Sequence, residues 1–503
     1  MRSLTSFKAN THFWKPIAII WVIILLANFT TLSISYGMTD DYVQAYAYYS
    51  GKGMLVDYLR RTVLSVGRPI DGALKEAFLS HVYYIRDFAW IRLVGLVGLL
   101  FFVAILFWIL SKLSTLSQLE ISFLVLLLVS IPSLSLYVAW TNLFDAPYGL
   151  IMASLAAYLG KSVFILNITR SSKIARGMAS LLLLLVASFI HQSVAMYYWV
   201  IVACDLFLEN GIISKQKLVH FFAYGVNWLV SMAVSFAFLK LWAPLAPDAA
   251  SRGALVSDVV AKAKWLINTA IVRSLNFNFL TQSKCLALLL FIIIVLGLLL
   301  YFQKGGTAKL IGMAIFGVLV LLSYFPNLVI AESWASYRTQ VAITSMFILF
   351  IYIALKSLVN RLAPGWQNLI FHILLYMWVI ISISSYAYHQ IRDITLPQSI
   401  EIRFITFHLQ ALKENHYNKI VVIRPSSVDS ISKVNGDEFG LPSTYPAWAT
   451  EFVVRMALRE IYPGKGNKMQ QYTITVLDPR TVVNPEEGVL LIDMADIRYL
   501  KLR

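Results

Sequence analysis

Apolar runs dominate this chain, and their lengths settle its class before any single residue does. Stretches with little polar interruption occupy 17–35, 91–110, 120–139, 149–167, 177–190, 192–208, 218–242, 285–302, 309–330, 340–358 and 368–388. A helix needs about 20 apolar residues to cross the hydrocarbon core of a bilayer. The pattern therefore predicts a polytopic α-helical membrane protein with about eleven transmembrane helices. Residues 177–208 form one apolar block, broken only by "FIHQS" at 189–193. It reads either as one long tilted helix or as two short helices meeting at a turn.

Charge separates the two readings. With two short helices, Lys112, the stretch "TRSSKIAR" (169–176), Lys215, Lys217, Lys304, Lys309, Lys356 and Arg361 share one side with Lys8 and Lys15. Short cytoplasmic loops retain Lys and Arg, so that side is assigned to the cytoplasm. One long helix would invert every later loop and destroy the agreement. The opposite face then receives 36–88, 140–148, the turn at His191 and Gln192, 243–284, 331–339 and everything after about 390. In the first of these loops, Leu55, Leu59, Val63, Val66 and Ile70 recur at helical spacing, with Arg60, Arg61 and Arg68 on other faces. That is the pattern of an amphipathic helix, lying in the interface plane or capping the bundle.

After Tyr388 the period changes. Short β-like runs, "KIVVIRP" (419–425), "YTITVLDP" (472–479) and "GVLLID" (488–493), alternate with helical and loop stretches. They predict a small α/β domain outside the membrane over 391–503, following a membrane domain over 1–390. It carries no Gly-rich phosphate loop, metal-ligand cluster or nucleophile elbow.

Composition agrees with the pattern: 59% of the 503 residues are hydrophobic and 14% charged. Lys and Arg number 42 against 26 Asp and Glu, a net charge of +16. In a soluble protein this excess would suggest nucleic acid. Here retention of cations in short loops accounts for much of it, and no basic tract with interleaved aromatics marks a nucleic-acid site. Cys204 and Cys285 lie in or at the edge of apolar runs and match neither a disulfide framework nor zinc spacing. The first run, with no obvious small-residue cleavage site, reads as a retained signal anchor.

The candidate chemistry sits at the ends of the runs. "SISYGMTDDYVQAY" (33–46) places Asp40 and Asp41 just past the first run, where unpaired carboxylates are costly. "SVGRPIDG" adds Arg68 and Asp71, and "WTNLFDAPYG" adds Asn142 and Asp145. "FIHQS" contributes His191 and Gln192, and "IAESWASYRTQ" contributes Glu332, Tyr337 and Arg338. All fall on the non-cytoplasmic face. Each has a plainer reading. One of the Asp40–Asp41 pair caps a helix, and so does Asp145. Arg68 reaches lipid headgroups, Gln192 satisfies the turn's backbone, Glu332 pairs with Arg338, and His191 is a bonded core residue. Together they suit group transfer: a carboxylate deprotonates an acceptor hydroxyl, and guanidinium groups clamp a departing phosphate. Nucleotide-activated donors are absent from that compartment, so the donor would be lipid-borne, typically a polyprenyl phosphate. No cofactor or metal is called for.

The Asp-Asp pair closing the first helix, the long amphipathic first outer loop and the outward-facing loops resemble the GT-C superfamily of lipid-phosphate-sugar-dependent glycosyltransferases. More narrowly, "MTDDY", "GRP", "HQS" and "ESWASYR" look like the serotype-converting O-antigen glucosyltransferases of bacteria and their phages. The similarity covers roughly the first 390 residues. It implies an inverting enzyme of the bacterial inner membrane, with its active site facing the periplasm. Such an enzyme moves a sugar such as glucose from undecaprenyl phosphate to a surface glycan such as O-antigen. It implies that Asp40 or Asp41 is the base, that Arg338 meets the donor phosphate with Glu332 nearby, and, more loosely, that Arg68 belongs to the site. Tyr337, Gln192 and Asp145 complete the expected substrate-binding set. The sequence departs from the family at "HQS", where an aromatic is expected before the Gln. Two rivals are an O-antigen polymerase or ligase relying on His191, and a lipid-linked sugar flippase. The charge-free centres of the runs and the dissimilar halves count against the flippase.

Overall fold

The computed structural model describes residues 11–50, 66–163, 169–208, 214–242, 254–280, 282–302, 306–413, 417–426, 438–463, 471–483 and 487–497. Most of the amphipathic segment expected in the first outer loop lies outside them. Among the described residues, eight helices are long and apolar enough to cross a membrane, or nine if a bent pair counts as one span. The two remaining expected runs are shorter apolar helices, Gln192–Phe207 and Lys309–Leu322.

The helix Thr11–Ser33 shows how the runs are used. Ile17, Ile20 and Ile24 form a buried stripe at helical spacing, while Ile19, Val22, Leu26 and Phe29 are exposed. The buried face packs on the helix Phe88–Leu113, and the exposed apolar face is the kind a bilayer covers. The bent pair is Gln118–Val129 and Pro132–Ala139, which meet at 65°. Pro132 lacks the N–H needed to continue the first helix and opens the second instead. This break is wholly surrounded by protein, the setting in which irregular backbone is tolerated at membrane depth. The helices Lys284–Tyr301 and Val341–Val359 approach closely at Gly297, where a Cβ would stand 2.3 Å from Ala354 Cα.

The apolar block at 177–208 is a hairpin. A Cβ on Gly149 would meet both Val194 and Ile190, whereas Ser180 bonds Ala156 and Lys161 pairs with Asp205 at 2.6 Å. The chain therefore rises along the helix Ala146–Ser162, turns at His191 and descends beside it. The expectation of two helices rather than one is what the structure has.

Beyond one end of the bundle lies a three-stranded parallel sheet, ordered β2–β1–β3: β1 Lys419–Ile423, β2 Thr473–Leu477 and β3 Val489–Asp493. Lys419 pairs with Thr473 on one side and Val489 on the other. Parallel neighbours need a crossover, and the helix Ala447–Ile461 lies in the one from β1 to β2. This unit does not keep a core to itself. Val422, Ile492, Val453 and Leu458 share one apolar cluster with Tyr42, Ala45, Leu79, Ile85 and Phe88. Ile85 N–H donates to Glu460 at 2.6 Å, and Tyr46 packs on Phe452. The first outer segment is thus held between the bundle and the sheet.

Candidate active site

The acid pair is placed by a tight turn after the first helix. Tyr36 Oη donates to Ala139 O, and the Gly37 N–H donates to Tyr42 Oη at 2.9 Å. A Cβ on Gly37 would stand 2.9 Å from both the Phe88 and Tyr42 rings, so only glycine fits without displacement. The helix Thr39–Ser50 then starts with both acids in its first turn, where the helix dipole favours negative charge.

The two aspartates differ sharply. Asp41 is fully buried. Its Oδ2 accepts the Met38 N–H at 2.8 Å and its Oδ1 accepts the Asn142 N–H at 3.0 Å. It is a helix cap and a brace between two loops. Asp40 is half-buried, and its Oδ2 accepts from Asn142 Nδ2 at 3.0 Å. Gln44 Nε2 in turn donates to Asn142 Oδ1 at 2.5 Å, fixing the amide. Burial pushes the Asp41 carboxyl up to about 6, against the Met38 hydrogen bond and the positive charge of Arg92. Arg92 is itself fully buried, with its guanidinium 3.8 Å from the Tyr36 ring centroid and Nη2 donating to Tyr36 O at 3.1 Å.

Arg338 arrives from the loop before the helix Val341–Val359. Its guanidinium carbon lies 5.1 Å from the Trp140 ring centroid and 5.0 Å from that of Trp334. Nε faces Glu438 Oε1 at 3.3 Å, and no described residue bonds Nη1 or Nη2. The Arg338 carbonyl accepts from Tyr137 Oη at 2.6 Å. Trp140 stands two residues before Asn142, so the segment Trp140–Asn142 carries the guanidinium at one end and the acid pair at the other.

"GRP" and "HQS" also meet. Arg68 Nε donates to Gln192 Oε1 at 3.0 Å, and Gln192 Nε2 donates to Val66 O at 2.9 Å. Arg68 is therefore tied to the hairpin turn as well as near the bundle surface, and Gln192 satisfies carbonyls of the first outer loop. His191 is buried and its Nδ1 has no hydrogen-bond partner. Burial and the charges of Arg68, Arg338 and Lys75 hold it well below its ordinary value, hence neutral. Asp145 occupies the N-cap position before Pro147, yet its side chain caps nothing. Its buried carboxyl faces Asp71, which pairs with Lys75 at 2.8 Å, and its Oδ2 has no partner.

Two expected residues stand elsewhere. Glu332 is exposed, and its carboxylate does not pair with Arg338; its carbonyl accepts from Lys262 at 2.6 Å. Tyr337 is buried with its ring against Phe439 and Arg273, which makes it a support of the loop. Sequence reading missed Glu438, Trp140, Trp334 and Arg92 as site residues. Arg92 had a signal, a lone charge in a run otherwise free of them from 91 to 110. Glu438 had none, since its role depends on a distant segment folding back. Among the described residues no three His, Cys, Asp or Glu side chains are grouped as a metal site.

In comparisons with known proteins, the chain matches no protein-family model and no curated protein.

Proposed function

We propose that the chain is a membrane glycosyltransferase of the GT-C type, moving a sugar such as glucose from undecaprenyl phosphate to a surface glycan such as O-antigen. The observation that carries this reading is the segment Trp140–Asn142. Through it, a half-buried carboxylate and a guanidinium with an unbonded Nη edge share one end of the bundle.

Roles follow from what each group has free. Both oxygens of Asp41 are engaged by backbone amides, so Asp40 is the base and Asp41 braces it. Asp40 takes the proton from an acceptor hydroxyl, whose oxygen attacks the anomeric carbon as the bond to the phosphate oxygen breaks. Attack opposite the leaving group inverts the centre. The phosphate departs with an additional negative charge, which the Arg338 fork stabilises through two N–H donors. Arg68, whose charge reaches His191 as that of Arg338 does, adds positive charge at the same end of the bundle, and buried Asp145 keeps one unpartnered oxygen as an acceptor for a sugar hydroxyl.

Sidedness supports the same picture. Lys161, paired with Asp205, and Lys356, paired with Glu120, lie at the end opposite the sheet, where Lys112, Arg170, Lys173, Lys215 and Lys217 also fall. Clustered cations at one end are what the positive-inside rule expects of a cytoplasmic face, which supports reading the acid pair as periplasmic in a bacterial inner membrane. Purified protein given a polyprenyl-phosphate sugar and a glycan acceptor tests the reading: transfer is expected from wild type and lost in Asp40→Asn. One observation favours the polymerase or ligase rival, the unpartnered Nδ1 of neutral His191. Activity that survives Asp40→Asn and fails in His191→Ala would select it.

A further inference from the structure

The group that faces Arg338 comes from far along the chain. Glu438 opens the described segment 438–463, which runs from the bundle end to the helix Ala447–Ile461 of the sheet unit. Its Oε1 faces Arg338 Nε at 3.3 Å and also accepts from Ser336 Oγ. With Trp140 and Trp334 each about 5 Å from the guanidinium carbon, the Arg338 side chain is held on both rings and at Nε. What remains open is the Nη1–Nη2 edge, the one that grips a phosphate bidentately.

The segment carrying Glu438 is firmly tied. Phe439 is fully buried against the Tyr337 ring, with centroids 5.2 Å apart. Gly440 N–H donates to Asp393 O at 2.8 Å, from a backbone φ of +84° that side-chain-bearing residues rarely adopt. Ser443 and Thr444 donate their N–H groups to the buried Glu401 carboxylate at 2.7 and 2.9 Å, and Ser443 Oγ donates to Gln398 at 2.6 Å. A segment fastened at this many points acts as a fixed wall rather than a lid.

We infer that Glu438 is a positioning residue that aims Arg338 at the donor phosphate, so that the unit beyond the bundle completes the active site instead of only holding the acceptor. The inference rests on the transferase reading above. A carboxylate at Nε neutralises part of the guanidinium charge, so its benefit lies in direction: a free arginine side chain loses much rotamer entropy on gripping a ligand, and a pre-aimed one loses less.

The test is a double-mutant cycle on purified full-length protein in lipid, reading kcat/KM for a polyprenyl-phosphate sugar and, separately, affinity for undecaprenyl phosphate. Glu438→Ala is expected to lower kcat/KM by roughly tenfold to hundredfold, the range for removing a hydrogen bond to a charged group. Glu438→Gln, which keeps an acceptor for Ser336 and guards against misfolding, is expected to fall by less in the same direction. In an Arg338→Ala background, Glu438→Ala should cost nothing more, because the group it aims is gone. Glu438→Ala within twofold of wild type, or a full additional loss in the Arg338→Ala background, would overturn the inference. Wild type that binds undecaprenyl phosphate without transferring sugar removes the transferase reading, and the cycle is then read on affinity. Wild type that does neither overturns both.

Discussion

The amide of Asn142 donates to Asp40 Oδ2 at 3.0 Å while its backbone N–H donates to Asp41 Oδ1 at 3.0 Å. One residue therefore holds two adjacent carboxylates in different states of engagement. Asp41 is consumed by structure and Asp40 is left with an oxygen to use. On this account Asp40→Asn lowers transfer by roughly 10²- to 10⁴-fold, the contribution of a positioned base, with no change in thermal stability. Asn142→Ala should lower transfer and stability together, because it removes the amide that holds Asp40 and accepts from Gln44, while the backbone N–H to Asp41 stays.

Asp41 sets a pH dependence whose sign follows from burial. Its folded value, raised to about 6 from 3.8, means that the folded state holds the proton more tightly than the unfolded one. That contribution to stability is complete below about pH 4 and is lost as pH rises through about 6, an amount on the order of 3 kcal/mol. Unfolding of wild type and Asp41→Asn across pH 4 to 7 checks it: the variant's profile should lack this decline. Transfer should instead rise through about pH 6, as Asp41 ionises and accepts both amides fully.

Gly37 is the hinge that lets the acid pair reach Asn142. Gly37→Ala puts a methyl 2.9 Å from the Phe88 and Tyr42 rings, an overpacking that costs about 1–3 kcal/mol. Because the displaced helix carries Asp40, transfer should drop further than stability alone explains. Equal losses in the two measurements would assign Gly37 to packing only.

The turn at Gln192 joins the hairpin to the first outer loop. Gln192→Ala leaves Arg68 Nε and the Val66 carbonyl without this partner, at a cost of about 1–3 kcal/mol if they stay buried. Gln192→Glu keeps an acceptor for Arg68 but loses the donor to Val66. Thermal unfolding should rank wild type, Gln192→Glu and Gln192→Ala in that order.

How much of this was legible in the sequence depends on the range of the interaction. The helices were readable because bilayer thickness fixes the length of an apolar run, and the hairpin at His191 followed from where the cations fall. The convergence of Asp40, Arg68, Gln192 and Arg338 was legible as sidedness. Sidedness, however, says only which end a residue occupies. It could not say that Glu332 turns outward, that Tyr337 supports the loop, or that the partner of Arg338 is Glu438, 100 residues later. Capping chemistry was legible in "TDDY", but which acid caps depended on Asn142 approaching from another helix pair.

The most direct measurement is sugar transfer by the purified protein in lipid, with a polyprenyl-phosphate sugar as donor, comparing wild type with Asp40→Asn and Arg338→Lys. The account predicts product from wild type, almost none from Asp40→Asn, and a marked loss in Arg338→Lys, whose ammonium cannot reproduce the fork. Undiminished product from Asp40→Asn would contradict it.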